Sequence, residues 1–202
     1  MITDVLRSLH GIKLVAATKN QPVERINQVI TEGVSIIGEN YVQEAADKFP
    51  RILPVQKHFI GHLQSNKVKA AVALFDCIQS IDSEKILGKM SDKAKRMPIF
   101  LQVNLGNEDT KYGFSIEEVE AVAKRYDNYQ GIFLSGIMAV VPLQKSEKNK
   151  PLFRQLHNTF LRLQCICPTL RELSMGTSHD YKAAIEEGAT MVRLGTALFG
   201  SR

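Results

Sequence analysis

Residues 170–200 read LRELSMGTSHDYKAAIEEGATMVRLGTALFG, and this stretch decides the fold. It holds two short glycine-containing segments one helix apart, Ser174-Met175-Gly176-Thr177-Ser178 and Val192-Arg193-Leu194-Gly195-Thr196-Ala197-Leu198-Phe199-Gly200. Each follows an apolar run of strand length, Leu170–Ser174 and Thr190–Leu194, and each passes into small or hydroxyl residues that start a helix. The helix between them runs to Glu187 and is ended by Gly188, where a glycine accepts the backbone turn that stops a helix. Exposed backbone N–H groups at strand-to-helix turns, with serine and threonine hydroxyls beside them, suit a phosphate.

The same strand-then-helix unit repeats back along the chain. Strands are predicted at Ile12–Ala17, Val34–Gly38, Phe59–Gly61, Phe75–Ser80, Pro98–Leu105 and within 131–141. Between them lie helical spacings at 22–32, 41–49 and 66–74. Asp82 is predicted to N-cap a helix carrying Ile86, Leu87, Met90 and Ala94, the Ser115–Glu118 capping box opens the next, and Pro151 to Cys165 forms a longer one. Eight β/α units in uninterrupted series mean a parallel sheet covered by helices, and eight is the number that closes a TIM (β/α)8 barrel. The 202 residues lie near the lower end of the roughly 200 to more than 400 that such barrels use. The alternative is a doubly wound open sheet, but no Gly-x-Gly-x-x-Gly follows the first strand. In a barrel the active site lies at the C-terminal ends of the strands, and phosphate binds at the loops after strands seven and eight. Local chemistry and topology therefore select the same two segments.

Composition narrows the class. With 44% hydrophobic and 23% charged residues the chain is of ordinary soluble globular type, expected as one domain over residues 1–202. No apolar run reaches membrane-spanning length, and the first ten residues carry no signal-peptide pattern. Three cysteines without a regular framework, Cys77, Cys165 and Cys167, point to reduced thiols and a cytoplasmic setting, and Cys165-Ile166-Cys167 lacks the second Cys/His pair of a metal site. The net charge of +5 favours anionic ligands. Lys85, Lys89 and Lys93 recur along one helix face, which is read as solvated rather than as a nucleic-acid patch, because no nucleic-acid motif or aromatic interleaving accompanies it.

Among the residues at the strand ends, Lys19 leads. Flanked by apolar strand at the barrel mouth, it is expected to be partly desolvated, which lowers an amine's pKa and frees it for Schiff-base chemistry; the plain alternative is a surface lysine. A phosphorylated aldehyde needs an amine opposite its phosphate, and pyridoxal 5′-phosphate (PLP) fits both. Arg193 either meets phosphate, faces a ring nitrogen whose protonation it would disfavour, or forms a structural ion pair. Asp180 should repel a phosphate held at the helix start beside it, so it must point away or the phosphate must sit nearer Gly195 and Thr196. His58 and His62 are read as hydrogen-bonding or packing residues rather than metal ligands.

Six ordered motifs resemble the YggS/PROSC family of PLP-binding homeostasis proteins. They are Leu14-Val15-Ala16-Ala17-Thr18-Lys19, Gly38-Glu39-Asn40-Tyr41-Val42-Gln43-Glu44, 58–67 (HFIGHLQSNK), Gly136-Ile137-Met138-Ala139, Ser174-Met175-Gly176 and 192–200 (VRLGTALFG). The resemblance implies a single barrel similar to the alanine racemase N-terminal domain, PLP fold type III. It implies that Lys19 carries PLP as a Schiff base, that Arg193 faces the pyridine nitrogen, and that Asn40 and Met138 lie beside the ring. By the same resemblance Ser174, Ser178, Gly195 and Thr196 hold the phosphate, with Gly176 in the same cofactor-binding segment. It implies intracellular PLP homeostasis without dedicated catalysis, PLP-free enzymes as acceptors, and a monomer. Alanine racemases add a β domain that supplies a catalytic tyrosine, and this chain is expected to lack one. Departures from the family pattern are Thr18 where serine is usual, Asn20 where threonine is frequent, Thr177 where methionine is common, and an N-terminal helix shortened to about ten residues, which bears on closure of the barrel bottom.

The alternatives share parts of this site. A PLP-dependent amino-acid racemase needs a base on the opposite ring face, for which Tyr112 and nearby lysines are the candidates. A sugar-phosphate aldolase or isomerase barrel would use Lys19 in the same way, but the motifs disfavour it.

Overall fold

A computed structural model of the chain describes residues 2–105, 112–142 and 144–200. Among these, eight parallel strands close into a barrel in sequence order: β1 (Lys13–Ala17), β2 (Ile36–Glu39), β3 (Gln56–Phe59), β4 (Cys77–Ile81), β5 (Met97–Val103), β6 (Ile132–Ala139), β7 (Glu172–Thr177) and β8 (Met191–Leu194). The helices are α1 (Ile2–Ser8), α2 (Val23–Thr31), α3 (Val42–Lys48), α4 (Val68–Leu74), α5 (Glu84–Lys93), α6 (Ile116–Ala123), α7 (Ser146–Ile166), α8 (Tyr181–Glu186) and α9 (Thr196–Phe199). Closure is made by β1 against β8, with Val15 opposite Arg193 and Ala16 opposite Leu194. The short α1 does not prevent it, and Ile2 and Leu9 are both buried.

Strand residues alternate between two apolar clusters, as the period of two requires. Leu14, Ala16, Val192 and Leu194 face outward and join the large cluster beneath the helices. Val15, Ile36, Cys77, Phe100, Met138 and Met191 face inward and fill the barrel. The inner layer is mixed, because Arg193, Ser174, Gln79 and His58 are buried with it.

Several boundaries differ from expectation, four of them for identifiable reasons. β3 begins at Gln56 rather than Phe59, because pairing of Ile36 with Gln56 continues the ladder through a polar run that lacks a strand-like pattern. β7 extends to Thr177, where the residue pairs with Arg193. α5 is preceded by Ser83, and Asp82 accepts a bond from His62 Nδ1 at 2.8 Å instead of capping the helix. α7 starts at Ser146, with Pro151 inside the helix near its beginning. The capping box is present in full: Glu118 N–H donates to Ser115 Oγ at 3.2 Å and Ser115 N–H donates to Glu118 at 2.8 Å. Lys85, Lys89 and Lys93 are exposed along α5.

Candidate functional site at the C-terminal rim

The two glycine segments meet at one place on the rim. Ser178, after β7, accepts on its Oγ from the backbone N–H of Gly195 at 3.0 Å and of Ala197 at 3.1 Å. Two backbone donors after β8 thus converge on a single oxygen, the arrangement an anionic oxygen requires. Gly195 lies against β1: a Cβ built on it would stand 3.7 Å from the Ala17 Cβ. Ala17 is two residues before Lys19, so the donor pair adjoins the strand end that carries the amine. Thr196 is exposed at the start of α9.

Lys19 itself is exposed. The partial desolvation expected at this position is not seen, because α2 begins four residues later and leaves the turn open to solvent. The turn is nevertheless tightly held. Thr18 is buried, and its Oγ1 donates to Glu39 Oε1 at 2.8 Å; Asn20 adopts a left-handed φ of +58°.

Beneath the rim Arg193 is buried within the barrel. Its guanidinium donates to the Ser174 carbonyl (2.9 Å), the Ser174 hydroxyl (2.6 Å) and the Ala139 carbonyl (2.7 Å). These three bonds leave two of its five N–H donors without a protein acceptor among the described residues. Burial lowers its pKa to about 10, against the favourable field of Asp180, so it stays a cation at neutral pH. Among the described residues no carboxylate pairs with it directly.

Ser174, expected at the phosphate, is engaged with its neighbours inside the barrel. It is fully buried, and its hydroxyl accepts from Arg193 and donates to Gln79 Oε1 at 2.7 Å. It therefore braces Arg193 from below. Gly176 has a packing role: its φ is +91°, and a Cβ there would stand 2.6 Å from the Ala184 Cβ and 2.9 Å from the Tyr181 Cα. The glycine lets α8 lie close on β7. Asp180 is buried and its carboxylate is taken up by neighbours other than the donor pair. It accepts from Thr177 N–H at 2.7 Å and from Asn149 Nδ2 at 2.9 Å.

Met138 lies in the inner cluster, buried below the rim. Asn40 is half-buried at the rim, and its backbone comes so close to Gly61 that a Cβ on that glycine would sit 2.1 Å from the Asn40 carbonyl oxygen. Beside Asn40 a cavity of about 330 Å3 is lined by Tyr41, Gln43, Gly61, His62, Gln64 and Lys67, which brings two of the quoted motifs together. His62 also stacks on the exposed Tyr112 ring, 3.6 Å between centroids. Both histidines thus have the hydrogen-bonding and packing roles expected, His58 through Gln79 and His62 through Asp82.

Two groups of residues were not singled out by sequence reasoning. Gln79 joins Ser174 to His58, its Nε2 lying 2.6 Å from His58 Nδ1. Glu39, Glu44 and Lys48 form a charge cluster under the Lys19 turn. Their signal was a polar residue within an apolar strand: Gln79 in CIQSI and Glu39 in IIGE.

PLP fits the chemistry of this donor set. An amine stands at the rim, two N–H groups already converge on one oxygen beside it, and a donor-only cation with unused N–H groups lies beneath. Those are the complements of an aldehyde, a phosphate and an unprotonated ring nitrogen.

This barrel, with its convergent N–H pair after strands seven and eight, is of the alanine racemase N-terminal domain class, a family that matches residues 4–202. The alanine racemase of Corynebacterium glutamicum shares the fold, with a TM-score of 0.78 at 18% identity, over 100% of this chain and 59% of that one. Within this class the chain belongs to the family of the pyridoxal phosphate homeostasis proteins. The protein of that name from Pasteurella multocida (strain Pm70) is 37% identical over 203 residues, covering 95% of this chain and 87% of the relative. PipY of Synechococcus elongatus PCC7942 without PLP superimposes with a TM-score of 0.91 at 35% identity, over 99% of this chain and 100% of that one. The same protein with PLP bound gives 0.88 at 33% identity, over the same shares of the two chains.

Proposed function

We propose that this protein binds PLP and serves intracellular PLP homeostasis, holding the cofactor covalently at Lys19 without dedicated catalysis. The observation that carries this reading is the approach of Gly195 to Ala17, which sets an oxygen-binding N–H pair beside the strand end bearing Lys19. PLP supplies an aldehyde that condenses with amines and a ring that draws electrons from what is attached to it.

The chain's own residues favour holding over turnover. Gly195 and Ala197 N–H groups and the Ser178 hydroxyl take the phosphate; Ser178 Oγ, now the acceptor of both N–H groups, turns to donate. Thr196 borders the phosphate, and Asn40 and Met138 border the ring. Arg193 has no proton acceptor of its own, so a ring nitrogen facing it must accept. That weakens the electron sink on which racemisation depends. Tyr112, the sequence candidate for a second base, is engaged with the His62 ring. The protein acts in the cytoplasm as a monomer of one domain and passes PLP to PLP-free enzymes. No helix among the described residues is long and apolar enough to cross a membrane.

The test is transfer. Protein loaded with PLP and freed of excess is mixed with a PLP-free, PLP-dependent enzyme. The acceptor gains activity as the carrier's visible absorbance falls, and L- to D-amino-acid turnover by the carrier alone stays at background. Turnover lost on Lys19→Ala would instead establish a racemase.

A further inference from the structure

Lys19 is joined to the chain by two peptide groups, and α3 grips both. The carbonyl of the first, Thr18, accepts from Lys48 Nζ at 2.9 Å. The N–H of the second, Asn20, donates to Glu44 Oε1 at 2.5 Å. Lys48 and Glu44 stand four residues apart on α3 and pair with each other at 2.5 Å, so the two grips are one unit. Below them Glu39 Oε1 accepts from Lys48 Nζ at 3.1 Å and from Thr18 Oγ1 at 2.8 Å.

The cluster is buried: the Glu39 side chain is wholly inaccessible and that of Lys48 is 10% exposed. Burial pushes the Glu39 carboxyl up, while Thr18 and the Lys48 charge hold it down, and its Oε2 has no hydrogen-bond partner among the described residues. An apolar set of the same volume would be at least as stable as such a buried ionic group. What an apolar set could not do is fix a carbonyl and an N–H on either side of one residue. The turn requires fixing, because Asn20 sits at a φ of +58° that non-glycine residues seldom adopt.

We propose that Lys48 is a positioning residue for Lys19: with Glu44 it clamps the two peptide groups flanking Lys19 and so sets where the amine meets PLP. The proposal rests on the reading that Lys19 carries PLP. The sequence motif 38–44 (GENYVQE) and Lys48 beyond it thereby acquire a function that the rim residues alone do not give them.

The test separates position from stability. Lys48→Met removes the clamp but strands Glu39 in the interior; the double variant Glu39→Gln/Lys48→Met removes both buried charges and keeps an acceptor for Thr18. Folding is read by urea titration. PLP capture is read, per folded molecule, by the visible band and by borohydride reduction followed by peptide mapping of the labelled lysine. The double variant is expected to unfold near the urea concentration of the natural chain yet to capture PLP at Lys19 about ten- to a hundredfold more weakly, with label spread to other lysines. Glu44→Gln, a milder change at a part-exposed position, should weaken capture about threefold. Natural capture at Lys19 by the double variant and by Glu44→Gln would overturn the proposal and leave the cluster a structural ion group. Lys19→Ala in the natural background separates this from the parent reading: undiminished PLP capture there overturns the site itself, and the positioning claim with it.

Discussion

The buried chain of polar groups inside the barrel makes stability depend on pH in a calculable way. Arg193 donates to Ser174 Oγ, so the Ser174 hydrogen goes to Gln79 Oε1, so Gln79 Nε2 faces His58 Nδ1 and donates to it. His58 must then be neutral with its proton on Nε2, which has no protein partner among the described residues. His58 borders a cavity of about 170 Å3 shared with Lys13, Cys77 and Glu172 at the N-terminal end of the barrel. Burial, with help from the Lys13 charge, lowers its pKa from 6.5 to about 4. Between those values the unfolded chain binds a proton that the folded chain does not, so stability falls as pH falls. The contribution is intact above 6.5 and lost below about 4. At about 1.4 kcal/mol per pH unit the whole displacement is worth about 3 kcal/mol, of which about 2 kcal/mol is gone by pH 5. The assay is urea unfolding between pH 7 and 5, for the natural chain and for His58→Leu. The variant starts less stable, because Gln79 loses an acceptor, but its stability should fall with pH by about 2 kcal/mol less over that range. Parallel curves would refute the neutral, buried histidine and with it the direction of the chain that ends at Arg193.

Two further outcomes test the rim. Arg193→Gln removes the donor-only cation beneath it, and PLP affinity by absorbance titration should drop about tenfold or more, as for a lost hydrogen bond to a charged group; unchanged affinity would place Arg193 outside the site. Ser178→Ala strips the oxygen from two backbone N–H groups, and should lower ligand-free stability by about 1 kcal/mol in urea unfolding, a typical cap value. No loss would mean that those N–H groups are satisfied by water.

Much of the fold was legible because barrel strands are short apolar runs separated by helices with clear stops. Gly33 directly follows the helical spacing read at 22–32 and Gly188 stands where a helix was expected to end, at φ of +108° and +95°. The Ser115 box needed only local spacing. β3 was harder: Gln56-Lys57-His58 has no strand pattern, and its strand state comes from pairing with the neighbouring β2, twenty residues earlier in sequence (Ile36 with Gln56), a non-local cause. The site divided along the same line. Lys19, Arg193 and the glycine loops announced themselves by place in the topology. The duties of Ser174 and Gly176 did not, because a serine beside a phosphate loop and a serine bracing an arginine look alike until the strand's inward face is known. Gln79 depends on Ser174, 95 residues away, and Glu39 and Lys48 on Thr18, 21 and 30 residues away, and no local pattern records such pairs.

The central claim, that Lys19 is where this protein holds PLP, is tested most directly by titrating the purified chain with PLP and following visible absorbance beside Lys19→Ala. The account predicts a saturable change at one equivalent, with reduction by borohydride fixing the label on Lys19, and neither in the variant. The same saturable spectrum in Lys19→Ala would contradict it.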